Sequence, residues 1–128
     1  MSVTEAVENY LEAILILSYK QPDVHAVDIC NHLGFSRPTL SVAIKQMKED
    51  GLIYVNGENH IFLTAEGRRV AEGVYERHNV IASVLMDIGV SEETAYADAC
   101  RIEHDLSDET FKCIKESYFN HKKRKAMQ

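Results

Sequence analysis

The sequence lacks several features that would place it in a familiar class. Its longest apolar runs are only a few residues, so no segment is expected to span a membrane, and its N-terminus has no signal-peptide pattern. It has three cysteines, Cys30, Cys100 and Cys113, which are an odd number without C-x-x-C spacing. A disulfide framework or a zinc finger is therefore not expected, and we expect the protein to work in a reducing cytoplasm. Gly-rich phosphate loops and the G-x-S-x-G and H-E-x-x-H motifs are also missing.

Positive charge is scarce as well. The 128 residues include 20 acidic side chains against 14 Lys and Arg, which gives a net charge of −6. This balance argues against non-specific binding to polyanions, although a local basic face could still bind DNA. With 45% apolar residues, the chain can form one compact domain or a small domain with a helical extension.

The first half of the sequence predicts a helix-turn-helix. Thr4 is suited to cap a helix that runs to about Lys20, and a second, short helix is expected over residues 27–33, after a possible short strand at residues 24–26. Gly34 then supplies a turn, and Ser36 begins a helix that runs to about Glu49. An αα-hairpin without a nucleic-acid role has the same pattern, so this alternative stays open.

The third predicted helix carries the candidate DNA-binding residues. Its outward face offers side chains that can contact phosphates and base edges in a major groove. With the two residues that begin the helix, the set is Ser36, Arg37, Pro38, Thr39, Ser41, Lys45 and Lys48. Two short strands around the Asn56–Gly57 turn follow and predict a winged helix, whose tip at residues 56–59 has no lysine or arginine and would hold phosphate weakly.

The second half of the sequence is predicted to be helical. Thr64 is expected to cap a helix over residues 65–88, which Gly89 ends. Its apolar stripe consists of Val70, Val74, His78, Ile81, Leu85 and Ile88. A histidine in such a row is either a hydrogen-bonded core residue or a ligand. Ser91 and Ser107 are expected to cap two further helices, the last of them reaching about Phe119 before a frayed basic tail at residues 121–125.

The segment from Ala99 to Leu106 carries metal-ligating side chains at helical spacing. Cys100, Glu103 and His104 fall on one side of a helix because positions i, i+3 and i+4 are neighbours. The opposite side is apolar and can pack. A thiol, a carboxylate and an imidazole form half of a divalent-metal site, whereas the alternative is a solvated face with an incidental cysteine.

In this order of features the chain resembles the DtxR/MntR family of metal-dependent bacterial repressors. The resemblance covers nearly the whole chain and rests on six segments, namely residues 8–14, 36–41, 50–53, 63–67, 77–78 and 100–107. It implies a mainly α protein: an N-terminal winged helix-turn-helix, residues 1–64, and a C-terminal helical dimerisation and metal-binding region, residues 65–128. The larger relatives add a C-terminal SH3-like domain. Because 128 residues are too few to include it, we expect the short form of the family.

The resemblance also implies a ligand set. The family's metal residues fall on Asn9, Glu12, His78, Cys100, Glu103 and His104. The manganese regulators have aspartate in place of Asn9 and glutamate in place of Cys100, while the iron regulators share the cysteine. A second metal site of the iron regulators is not expected, since two of its positions are Ala82 and Tyr96, which ligate poorly.

The resemblance implies a transcriptional repressor and not an enzyme. We expect a homodimer that binds a palindromic operator of genes for iron or manganese homeostasis, without a membrane or a small-molecule substrate. Thiolate and imidazole favour Fe(II), with Mn(II) a close second and Zn(II) or Co(II) able to bind in vitro. One alternative is a winged-helix regulator triggered by oxidation of Cys100 or by an organic ligand. Another is a small metal or thiol enzyme that uses Cys100 with His104 as base.

Overall fold

The computed structural model describes residues 4–126, and helices dominate it, as predicted. The elements in chain order are α1 Glu5–Lys20, α2 Ala26–Leu33, α3 Arg37–Glu49, β1 Ile53–Val55, β2 Ile61–Leu63, α4 Ala65–Asp87, α5 Glu92–Ile102 and α6 Asp108–Ala126. The outer ends of the two predicted domains, residues 1–3 and 127–128, lie outside the described residues. The chain forms two compact units, one reaching Val74 and the other beginning at Tyr75.

The first unit contains the predicted helix-turn-helix. Thr4 caps α1 by accepting a hydrogen bond from the Val7 amide at 3.2 Å, and Ser36 caps α3 in the same way from the Thr39 amide at 3.5 Å. Gly34 ends α2 with φ 77°, a conformation that a residue with a Cβ rarely adopts. The fully buried side chains of its core are Leu11, Ile14, Leu15, Ile29, Leu40 and Met47.

The predicted wing is a two-stranded antiparallel hairpin. β1 pairs with β2 so that Ile53 lies opposite Leu63 and Val55 opposite Ile61. The short strand predicted at residues 24–26 is wrong, because α2 begins already at Ala26. Only Val24 extends the hairpin, where its carbonyl accepts a hydrogen bond of 2.8 Å from the Ile61 amide.

The second unit is built from the last turns of α4 together with α5 and α6. Its buried apolar residues are Val80, Ile81, Ala82, Ala95, Ala99 and Phe111. Ile88, predicted to lie in the apolar stripe of α4, is instead 75% exposed, because α4 ends before it at Asp87. Gly89 follows with φ 106° and ends the helix region as expected.

Two predicted helix ends in this unit are wrong. α5 ends at Ile102, and the chain turns there, with the Asp105 amide bonded to the Ile102 carbonyl at 3.0 Å. α6 continues through the tail to Ala126 instead of ending at Phe119. Lys122 lies over the Tyr118 ring one turn earlier, and its hydrogen bond to Tyr118 raises the pKa of the lysine. Such i,i+4 contacts extend the helix. No described helix is long and apolar enough to cross a membrane.

Gly67 in α4 is required by a close backbone contact. A Cβ built at Gly67 would lie 2.9 Å from the carbonyl carbon of Leu52 and closer still to its oxygen. The Leu52 backbone is itself held, since its carbonyl accepts a hydrogen bond from the Thr64 amide at 3.1 Å. The start of α4 can therefore pack against the end of the helix-turn-helix only if residue 67 has no side chain.

We expect Gly67→Ala to lower the free energy of unfolding by about 1–3 kcal/mol, because the backbone must move to admit the methyl group. Gly73→Ala is the matched control in the same helix, where nothing lies within 4 Å of an added Cβ. It should raise the free energy of unfolding by about 0.5–1 kcal/mol, through helix propensity alone. Urea unfolding of the two variants measures the contrast, and equal effects would contradict the packing role of Gly67.

Candidate metal centre and nucleic-acid interface

Glu12 is a buried carboxylate on α1. It is only 7% exposed and stands between Leu11 and Ala13, which are also buried. Glutamate is seldom buried in this way, because removing a carboxylate from water is costly unless a partner compensates it. Asn9 lies one turn earlier on the same helix and is half-buried. The side of α1 that carries Asn9 and Glu12 therefore turns inward at Glu12.

Glu103 is the second buried acid, and it follows α5 directly. It is 2% exposed, and its amide bonds to the Ala99 carbonyl at 3.0 Å, so its backbone still continues the helix. His104 comes next, with Nε2 3.4 Å from Glu103 Oε1. The Ser91 cap fixes the start of α5, and Ala95 and Ala99 are fully buried on it. Cys100 is half-buried, one turn before Glu103.

The ring of His78 on α4 is oriented by a backbone carbonyl. Its Nε2 lies 3.0 Å from the Tyr96 carbonyl oxygen, and the two rings pack edge to face with centroids 5.5 Å apart. Because a carbonyl oxygen can only accept, Nε2 must carry the proton of the hydrogen bond. In the neutral imidazole Nδ1 then has the free electron pair, which is the arrangement found for a metal-ligating histidine.

His78 and Glu103 lie together in the second unit. A ligand atom of His78 lies within 4.8 Å of a carboxylate oxygen of Glu103, and within the described residues this group includes neither Cys100 nor His104. Glu12 supplies a further buried carboxylate in the first unit. Carboxylates and an imidazole supply oxygen and nitrogen donors that suit a divalent transition metal. The fit rests on charge, because a buried carboxylate is costly and a divalent cation beside it supplies the opposite charge.

The candidate DNA-binding side chains line the exposed face of α3. All seven are exposed, while Leu40 and Met47 bury the opposite face. A groove of about 500 Å³ opens beside this face, with Arg37 and Lys48 on its wall. His25 and Asn59 also line the groove, which extends the candidate surface to residues that the sequence did not single out.

Tyr96 was also missed as a functional residue. The sequence suggested only that its side chain would be a poor metal ligand, but its contribution is the backbone carbonyl that orients His78. The position of a backbone carbonyl cannot be predicted from the types of the residues in the sequence. Ala82, the other position where a second metal site was not expected, is fully buried in the apolar core.

A winged helix with an exposed cationic recognition helix, together with buried carboxylates around an imidazole, defines a metal-responsive DNA-binding protein. Two family models match the chain. Residues 2–61 match the N-terminal DNA-binding domain of iron-dependent repressors, and residues 64–125 match their metal-binding and dimerisation domain. The chain belongs to the DtxR/MntR family of metal-dependent transcriptional repressors.

The most similar proteins include regulators of both metals. The transcriptional regulator MntR of Escherichia coli O157:H7 is 37% identical over 83% of this chain and 68% of its own. The iron-dependent repressor IdeR of Mycobacterium leprae is 34% identical over 84% of this chain, which spans 47% of that protein. A manganese-dependent transcriptional repressor in complex with manganese aligns with a TM-score of 0.79 and 26% identity, over 87% of this chain and 51% of the other.

Membership in this family confirms the main functional prediction. The protein is a metal-dependent repressor that binds DNA as a homodimer, and it is not an enzyme. Its divalent-metal site belongs to the metal-binding and dimerisation domain that residues 64–125 match, which contains His78 and Glu103. The alternative of a thiol enzyme with Cys100 and His104 is thereby wrong.

Glu103→Gln tests the metal site without reference to DNA. The wild-type protein should gain about 2.7 kcal/mol of stability when Mn(II) is present at 100 times its dissociation constant, because the ion binds the folded state alone. Glu103→Gln removes one of the two buried negative charges and should lose most of this gain. Thermal unfolding with and without Mn(II) measures it. Glu76→Gln, an exposed acid on α4, is the control and should keep the full gain.

Proposed function

We propose that the protein senses a divalent cation through Glu12, His78 and Glu103, with His104, Cys100 and Asn9 completing the ligand set. The observation that carries this proposal is the oriented imidazole of His78 within 4.8 Å of the buried Glu103 carboxylate, and Glu12 adds a second buried carboxylate. His104 supports it because its ring already lies beside Glu103. Asn9 stands one helical turn before Glu12, and Cys100 one turn before Glu103, so each side chain shares the helix face of its carboxylate.

The buried carboxylates supply the switch. Glu12 and Glu103 each place a carboxylate in a buried environment that screens charge poorly. A bound divalent cation supplies the compensating positive charge. If the chain offers the complete ligand set only in the arrangement that is competent for DNA, metal binding shifts the population toward that arrangement by the difference in affinity. Glu12 belongs to the DNA-binding part of the sequence, which makes this coupling direct.

The DNA contacts are assigned to α3. Ser36, Arg37, Pro38, Thr39 and Ser41 form its first turns, and the exposed cations Lys45 and Lys48 follow, which is consistent with a helix that reads a major groove. A homodimer presents two such helices, and a palindromic operator is bound when they lie about one DNA turn, roughly 34 Å, apart. A boundary between the two domains at residues 64 and 65 and a cytoplasmic location beside the DNA complete the proposal.

For the physiological metal we favour Fe(II), with Mn(II) a close second. A manganese site prefers hard oxygen donors, whereas a thiolate and imidazoles favour Fe(II), Co(II) or Zn(II). Cys100 as thiolate also restores the negative charge that a neutral Asn9 does not provide. We expect the regulated genes to serve the homeostasis of this metal.

Operator binding tests the switch directly. Fluorescence anisotropy of a labelled operator, without oxygen, should show at least tenfold tighter binding with Fe(II) or Mn(II) than with a chelator, a coupling of about 1.4 kcal/mol. Arg37→Ala should weaken binding to the operator and leave the metal affinity unchanged. Arg69→Ala, which removes an exposed cation outside α3, is the matched control. Equal affinity under all metal conditions would refute the metal switch, and a response to peroxide without metal would point to oxidation of Cys100.

Cys100→Glu tests the choice of metal. Replacing the thiolate with a carboxylate hardens the donor set, so the variant should gain affinity for Mn(II) relative to Co(II), the oxygen-stable substitute for Fe(II). Competition of each metal against a fluorescent chelator gives the two dissociation constants. We expect their ratio to move at least tenfold toward Mn(II). Cys113→Glu, an exposed cysteine on α6, is the control and should not move the ratio.

A further inference from the structure

Arg77 precedes His78 on α4, and its guanidinium reaches the connection between α5 and α6. One terminal nitrogen, NH2, donates to the carbonyl oxygens of Leu106 at 3.0 Å and Ser107 at 3.2 Å. The other, NH1, lies 3.6 Å from Asp108 Oδ1. The guanidinium also covers the ring of Phe111, with 5.0 Å between its carbon and the ring centroid. Arg77 thus contacts four residues of the segment that follows Glu103 and His104.

The segment that carries Glu103 and His104 has little regular structure of its own. α5 ends at Ile102 and α6 begins at Asp108, so both candidate ligands stand at the start of a short turn. Backbone carbonyls in such a turn need donors from elsewhere. Arg77 provides them at the far end of the turn, while the helical hydrogen bond from the Glu103 amide to Ala99 holds the near end.

Stability alone does not account for Arg77. Its cation stands at the N-terminal end of α6, where the helix dipole favours negative charge, and only Asp108 and Glu109 in the first turn offset this. Its Nε is buried without a hydrogen-bond acceptor in the described part of the chain. A buried donor without an acceptor destabilises the folded protein. The role of Arg77 therefore lies in the two backbone carbonyls to which it donates.

We propose that Arg77 is a positioning residue for the metal centre, which fixes the turn after α5 so that Glu103 and His104 meet the cation with His78. This inference rests on the proposed metal site. Consecutive residues of α4 then have complementary roles, because His78 binds the ion and is oriented by the Tyr96 carbonyl of α5, while Arg77 sets the turn that brings the other ligands.

The test compares Arg77→Met with Lys115→Met. Lys115 also joins α6 to α4, through Glu76 at 2.7 Å, and among the described hydrogen bonds and ion pairs none links Lys115 to the turn. Titration with Mn(II) against a fluorescent chelator should show a loss of affinity of about 10- to 100-fold for Arg77→Met, the usual effect of removing an outer-shell partner, and less than twofold for Lys115→Met. Arg77→Lys, which keeps the charge and one donor, should fall between them.

A second readout separates positioning from general destabilisation. At saturating Mn(II), Arg77→Met should regain wild-type affinity for the operator, because only the metal affinity has changed. In metal-free protein, its amide signals in two-dimensional ¹H–¹⁵N spectra should differ from the wild type at residues 103–111 and next to residue 77, and agree elsewhere. Wild-type Mn(II) affinity in Arg77→Met, or an equal loss in Lys115→Met, overturns the inference.

Two further outcomes are also decisive. If Arg77→Met does not fold, Arg77→Lys carries the test, and wild-type Mn(II) affinity in that variant overturns the inference. If the wild-type protein binds Mn(II) but binds the operator equally with and without it, the proposed switch fails. The comparison of metal affinities between the variants then still decides the role of Arg77.

Discussion

The burial of two carboxylates is the constraint on which the function of this protein depends. Glu12 and Glu103 are 7% and 2% exposed, and each stands among apolar residues where a charge is costly. A chain selected for stability alone would place apolar side chains there, because well-packed hydrophobic residues often stabilise a core more than buried charges do. The cost has a use in a sensor. A cation that binds these carboxylates more tightly in one arrangement of the chain shifts the population toward that arrangement.

Small residues make the imidazole of the site available. Ala82 on α4 and Ala95 and Ala99 on α5 are fully buried in the second unit, so the backbone there is covered by little side-chain volume. The Tyr96 carbonyl, next to Ala95, can then accept the hydrogen bond from His78 Nε2. A larger side chain at these alanines would add volume to a filled core and displace the backbone. The backbone carbonyl that orients His78 is therefore placed by the apolar packing around it.

Local signals predicted most of the fold. Thr4, Ser36, Ser91 and Ser107 were expected to begin helices, and they do, because a capping side chain bonds to the backbone within three residues. The end of α5 depended on a distant contact. The turn after Ile102 is held by Arg77 from 29 residues away in sequence, which no local pattern can show. For the site, resemblance supplied Glu12 and His78, whereas the proton on Nε2 of His78 became apparent only from the position of the Tyr96 carbonyl.

The charge of the chain explains why the arrangement of two DNA-binding units can control repression. At a net charge of −6 the protein gains little from general attraction to DNA, and the wing tip has no cation to add. One unit must therefore bind weakly, through a single helix with Arg37, Lys45 and Lys48 as its exposed cations. In a dimer the second unit binds at high effective concentration, but only when the geometry lets both helices reach the operator together. A modest change in the arrangement of the two units then decides between strong and weak binding to the operator.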